Sequence, residues 1–303
     1  MSLADRSLVE PMGETVAYRT GAPGGEGLGE ILYALRRNPI TIVGLSILLV
    51  MALAGIFAPL IAPYGPVEKH LADTAVPPSG QYWLGTDAYG HDIFSRILYG
   101  ARLDLLIAVS AIAASLLLGS VWGAIAGFVG GPLDEATMRT MDILQAFPRF
   151  IFAMGVAYAL GPGVLTVIVA TAALNVPGYA RLMRGMILSL KQRQFAMAAK
   201  AVGNPPLRVL FRHLLPNSLA PIFVMSTLHC GWAILEAAGL SFIGLGVPVP
   251  TAEWGVMINI GLQDFLRGYW WGYTFPGIAI AIAVLGFNLV GDGLDDILDP
   301  RRK

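Results

Sequence analysis

Four histidines, one cysteine and twenty lysines and arginines are the places where this 303-residue chain could do chemistry, and their spacing excludes most of it. A phosphate-cradling loop needs glycine followed directly by lysine, so that backbone amides and an ammonium converge on phosphate oxygens. Lys69, Lys191, Lys200 and Lys303 instead follow Glu68, Leu190, Ala199 and Arg302, so the chain has no nucleotide-hydrolysing loop of that kind. His70, His91, His213 and His229 are far apart, and His229 and Cys230 on a helix would point about 100° apart, so no metal site is expected. Ser241, in Gly239-Leu240-Ser241-Phe242, has no later histidine to act as its base. Cys230 alone cannot form an intrachain disulfide. Zero net charge removes the basic field that would gather nucleic acid. Glu236 sits in an apolar stretch, where a charge marks function by default, and Glu236 with Asn175 are the candidates for a translocation path. The competing reading for Glu236 is a structural hydrogen bond near the outer interface.

The elements that must position these residues are membrane helices. Hydrophobic residues make up 55% of the chain, charged residues 13%, and mean hydropathy is +0.65, well above a soluble domain of this length. A span needs roughly 20 apolar residues. The sequence predicts six: 39–62, one within 104–134, two between 143 and 190 divided at Gly161-Pro162-Gly163, 218–239, and 273–290 with Trp270, Trp271 and Tyr273 as an interfacial belt. The fold class is therefore all-α and polytopic. Residues 1–38 form a partly flexible tail without a secretory signal's apolar core, 63–103 an extracytoplasmic segment, 104–295 a five-helix core with a polar loop at 191–217, and 296–303 the end. Six spans put both termini on one side. That side carries Arg36, Arg37, Arg139, Arg149, Arg181, Arg184, Lys191, Arg193, Lys200, Arg208, Arg212, Arg301, Arg302 and Lys303, against Lys69, Arg96, Arg102 and Arg267 opposite, so the termini are expected in the cytoplasm.

The loop between spans four and five reads as two short helices. The first, with Ala198, Ala199 and Ala201, stops at Gly203; Asn204 and Pro205 then cap and start a second. There Leu207, Leu210, Phe211 and Leu214 recur at helical spacing, with Arg208 and Arg212 on another face, until Pro216. Periodicity alone fits either an interfacial loop against lipid headgroups or a docking surface. Ser115, Gly119, Gly123, Gly127 and Gly131 recur every fourth residue in span two, a stripe for close helix packing, with a moving interface as the alternative. Asp292, Asp295, Asp296 and Asp299 share a helix face and are expected to pair with cytoplasmic cations.

Ala198, Ala199, Gly203, His213, Leu214, Leu215, Pro216 and Asn217 resemble the Glu-Ala-Ala loop of permease subunits of ATP-binding-cassette importers, although Met197 stands at the glutamate position. A literal Glu-Ala-Ala at 236–238 has Phe242 where glycine is required. Further stretches are similar to the C-type subunit of dipeptide, oligopeptide and nickel importers. They are Trp83-Leu84-Gly85-Thr86-Asp87 with Gly90-His91-Asp92, Met138-Arg139-Thr140-Met141-Asp142, Ala180-Arg181-Leu182-Met183-Arg184-Gly185, Leu240-Ser241-Phe242-Ile243-Gly244-Leu245-Gly246 and Phe287-Asn288-Leu289-Val290-Gly291-Asp292-Gly293.

The resemblance implies the type I importer permease fold in a bacterial inner membrane, non-catalytic, forming half of a pathway for di- or oligopeptides. Nickel chelates or another small solute are the alternative cargo, and an ion-coupled secondary transporter the alternative class. It implies as partners a second homologous permease, two ATPase subunits that bind ATP and Mg, and an extracytoplasmic substrate-binding protein, with no cofactor or metal on this chain. Phe195, Met197, Ala198, Ala199, Ala201, Gly203, Arg208, Arg212, His213, Pro216 and Asn217 would form the ATPase-coupling loop, and Gly119, Gly123 and Gly127 the helix packing. With Met197 in place of glutamate, coupling would rest on shape more than on charge.

Overall fold

The computed structural model describes residues 38–298. The tail with Arg36 and Arg37, and Asp299, Arg301, Arg302 and Lys303, lie outside the described residues. Helix α1, Pro39–Ile56, starts where the Asn38 side chain accepts the Ile40 N–H at 3.1 Å and proline, which needs no partner for a missing N–H, takes the first position. After a one-turn helix α2, Ala58–Ile61, the chain loops to Asp92, whose carboxylate caps α3, Ile93–Val129, by accepting the Ser95 N–H at 2.8 Å.

Helix α3 begins eleven residues before Asp104, because the charges that suggest a later start are satisfied inside the fold. Arg96 is fully buried and donates to the carbonyls of Pro66, Pro250 and Thr251 at 2.9 to 3.1 Å. The expected third span is a bent pair: α4, Gly131–Ala146, and α5, Arg149–Leu160, meet at 93°. Pro148 is the cause, since a residue before proline is forced out of helical backbone, and Phe147 has φ −81° and ψ 141°. The pair counts as one crossing if taken together, so five or six segments are long and apolar enough to span a membrane.

Helix α6, Val164–Leu190, follows the glycine-proline-glycine break; α7, Gln194–Ala201, and α8, Pro206–Arg208, lead through a π turn, Val209–Leu214, into α9, Leu215–Phe242. The short α10, Trp254–Leu262, falls below the length that marks a span in the sequence; α11, Trp271–Leu298, closes the described chain. Trp271 is not a belt residue: it is buried, and its indole N–H donates to the Thr86 carbonyl at 3.0 Å, pinning the 62–92 loop onto the bundle.

Helix α3 is the central strut. A Cβ at Gly119 would meet the Val176 carbonyl and Tyr179, one at Gly123 the Ala180 carbonyl, and one at Gly127 the Arg184 carbonyl at 2.9 Å, while the Ser115 hydroxyl donates to the Ala172 carbonyl at 3.0 Å. The stripe therefore runs in register along positions 172, 176, 180 and 184 of α6, with backbones closer than any larger residue allows. Gly131 has open space around it and lies outside this seam. Helices α9 and α11 pack together, and α1 lies on α11.

Candidate functional site

Two features gather the residues singled out above. The first is the 191–217 segment, at the end of the bundle opposite the 62–92 and 243–270 loops. Lys191 donates to the Gly127 carbonyl at 2.9 Å, and the Lys200 ammonium stands 6.0 Å from the Phe128 ring centre, so two cations sit on the negative end of α3. Ala196 and Ala199 are buried, joining Ile187, Val209, Leu210 and Leu214 in the main core. The opposite side of α7 and the following residues is open: Phe195, Met197, Ala198, Ala201, Val202, Leu207, Arg208, Phe211 and Arg212 are exposed. Gly203, with φ +80°, ends α7, and a Cβ there would have nothing within 4 Å, so the need for glycine is conformational and not spatial.

Three details of the loop differ from the sequence expectation. Asn204 does not cap the second helix; its amide reaches back to the Ala199 carbonyl at 3.0 Å, because Pro205, extended at ψ 147°, is itself the cap residue. Pro216 does not end that helix. The backbone stays helical from Pro206 to Phe242, and the π turn just before Pro216 widens the coil where the proline ring would strike the preceding turn. Asn217 donates from its side chain to the His213 carbonyl at 2.6 Å, serving an acceptor beside the proline. The same widening breaks the 3.6-residue period, so Leu210 and Leu214 are buried while Leu207 and Phe211 are exposed.

The second feature is a polar cluster between α5, α6 and α9. Arg149 pairs with Glu236 through Nη2, Asn175 donates to the other Glu236 oxygen at 3.2 Å, and Nη2 lies 3.4 Å from the Asn175 carbonyl oxygen. Asn175 and Glu236 are thus brought together, joined by an arginine that charge counting assigns to the cytoplasmic end. The bend at Pro148 leaves α5 with 12 residues, a rise of about 18 Å, where a hydrocarbon core is about 30 Å thick. Beside the cluster lies a cavity of about 250 Å³ lined by Leu144, Gln145, Phe147, Arg149, Ala173, Leu174 and Pro177.

Other polar residues are structural. Ser241 accepts the Val247 N–H at 3.1 Å and is buried, fixing the turn after α9. Glu253 accepts the Gly255 and Val256 N–H groups at 3.0 and 2.7 Å, and Asp104 accepts that of Trp254 at 3.1 Å, so two buried carboxyls serve one helix start. Sequence reasoning passes over both; the acid immediately before Trp254-Gly255 is the cap signature that marks α10. Among the described residues no group of three or more metal-ligating side chains occurs. Asp292, Asp295 and Asp296 are exposed along α11.

Residues 119–303 match the family of binding-protein-dependent transport system inner membrane components, and residues 28–78 match the N-terminal TM domain of oligopeptide transport permease C. The chain is 44% identical over 274 residues to the dipeptide transport system permease protein DppC of Alkalihalophilus pseudofirmus, covering 90% of each. It is 38% identical to the protein of that name in Bacillus subtilis, covering 88% of this chain and 83% of that one. It is 40% identical to the oligopeptide transport system permease protein OppC of the same organism, covering 90% and 89%.

Proposed function

The chain belongs to the family of binding-protein-dependent transport inner-membrane components, and from that premise we propose that it is the permease subunit of an ATP-driven peptide importer. It forms one half of the translocation pathway and performs no catalysis itself. The observation that carries this is similarity over nine tenths of the chain to permeases named for dipeptide and oligopeptide transport, on a helical fold without its own glycine-lysine phosphate loop. Its ATPase subunits bind ATP and Mg; a second homologous permease and a substrate-binding protein complete the complex in the bacterial inner membrane.

The exposed side of the 194–217 segment supports the docking role. Phe195, Met197, Val202, Leu207 and Phe211 give it apolar area, and Arg208 and Arg212 give it charge. A rigid-body push there would pass through Ala196 and Ala199 into α6 and, because Pro216 is bridged, into α9. That continuous path from docking surface to Glu236 suits a coupling element better than a lipid-facing loop. Arg139, Arg181, Arg184, Lys191, Arg193, Lys200, Arg208 and Arg212 gather at this end, which supports a cytoplasmic placement for it and for both termini.

The test is reconstitution of the full complex in proteoliposomes, with uptake of labelled di- and oligopeptides from loaded binding protein. Uptake that requires ATP inside the cytoplasmic compartment supports the reading. Uptake driven by an ion gradient without ATP would make the chain a secondary carrier, and uptake of a nickel chelate in place of peptide would change the cargo.

A further inference from the structure

Arg149 breaks a rule of membrane solvation. Its side chain is 58% exposed, although it starts a helix that reaches only about 18 Å from the Gly161 turn. Its neighbour Asn175 is about 17 Å along α6 from Val164, near the middle of that span. A guanidinium facing lipid at such depth is strongly unfavourable, so this exposed face must meet water or a polar partner and not acyl chains.

The surroundings are those of a built polar site. Glu236, only 13% exposed, holds Arg149 from behind, and Asn175 braces the carboxylate. Both hydrogen bonds of Arg149 leave from Nη2, and a guanidinium carries five donors, so Nη1 and Nε keep theirs. Across the 250 Å³ cavity, Pro177 has no N–H to return to the Ala173 carbonyl one turn earlier, which adds an acceptor at the cavity wall. Donor-rich, with its own counter-charge turned inward, the exposed edge suits an incoming carboxylate.

We propose that Arg149, positioned by Glu236 and Asn175, lines the translocation lumen and receives the C-terminal carboxylate of the passing peptide. This rests on the peptide-importer reading and adds to it a specificity-determining residue inside the membrane. The ion pair with Glu236 keeps the arginine oriented while the lumen is empty. The transient contact lets the carboxylate end of the peptide cross without being left unpaired.

The experiment compares uptake of one dipeptide as its free acid and as its C-terminal amide. Both are delivered by the same saturating binding protein to the reconstituted complex, so that the binding protein's own preference cancels between permease variants. In the Arg149→Gln/Glu236→Gln double variant, which removes both charges together, the free-acid to amide ratio should fall about tenfold from the wild-type value, equivalent to about 1.4 kcal/mol. Arg149→Lys should retain most of that ratio. An unchanged ratio in the double variant overturns the assignment. A second measurement needs no charge removal: Ala173→Cys in the assembled complex should react with a charged, membrane-impermeant thiol reagent, the buried Cys230 serving as background. Failure to react would mean a dry face, sealed by a partner subunit, and would also overturn it. If the wild-type complex shows no ATP-dependent peptide uptake, the importer reading itself fails and this site falls with it.

Discussion

Burial holds the Glu253 carboxyl above its ordinary value of 4.5, and its hydrogen bonds with the Asp104 carboxyl and with the Val256 and Gly255 N–H groups oppose that rise without cancelling it. The folded chain therefore binds this proton more tightly than the unfolded chain does. The resulting stability is fully present below 4.5 and is lost as pH rises through the elevated folded value. Thermal unfolding of the purified complex should show a midpoint that falls as pH rises from 4.5 to that folded value and levels off beyond it, and Glu253→Gln should flatten part of the slope; an equal slope in the variant would show that another group sets it. Gly203 makes a different kind of demand. With φ +80° and open space around it, Gly203→Val is penalised by backbone strain of about 1–2 kcal/mol and not by collision. The expected result is more ATP hydrolysed per peptide imported, with Gly203→Asn milder because asparagine tolerates this backbone region. Equal ratios in both variants and wild type would remove the loop from the coupling path.

At the level of elements, the seam between α3 and α6 depends on how closely two backbones approach. Replacing Gly123 with valine puts a side chain against the Ala180 carbonyl, and overpacking of that kind typically costs about 1–3 kcal/mol. Gly155→Val, on α5 where nothing lies within 4 Å, is the matched control. A melting temperature lowered by Gly123→Val and unchanged by Gly155→Val is expected in detergent; equal losses would indicate that helix propensity and not packing governs the seam. The unbroken run from Pro206 to Phe242 is the other element-level result. Two helices separated at Pro216 would bend independently, whereas one continuous helix, with Pro221 as its interior proline, connects the loop to the level of Glu236.

Across the whole molecule, large apolar side chains remain exposed on several helices, among them Leu49, Val50, Leu117, Leu118, Tyr158 and Leu165. Lipid satisfies those, but not Arg149. The chain produced alone should therefore be recovered in lower yield, and digested faster by protease, than when co-expressed with its homologous permease partner; identical recovery would indicate that the polar face is covered within this chain. Much of this architecture is legible in the residues. Apolar length marks the spans, Gly161-Pro162-Gly163 marks a turn, and Gly203 marks the end of α7, because hydropathy and backbone restriction are local properties that one stretch of sequence carries by itself. The glycine spacing likewise announces a close seam, though not that α6 is its partner. What the sequence could not decide was depth and pairing. Arg149 is one more charge in the count until the 93° bend at Pro148 brings it beside residues 26 and 87 positions later. Arg96 and Asp104 look like loop charges until partners distant in sequence bury them. Charge pairing depends on where helices lie in space, and only tertiary structure supplies that.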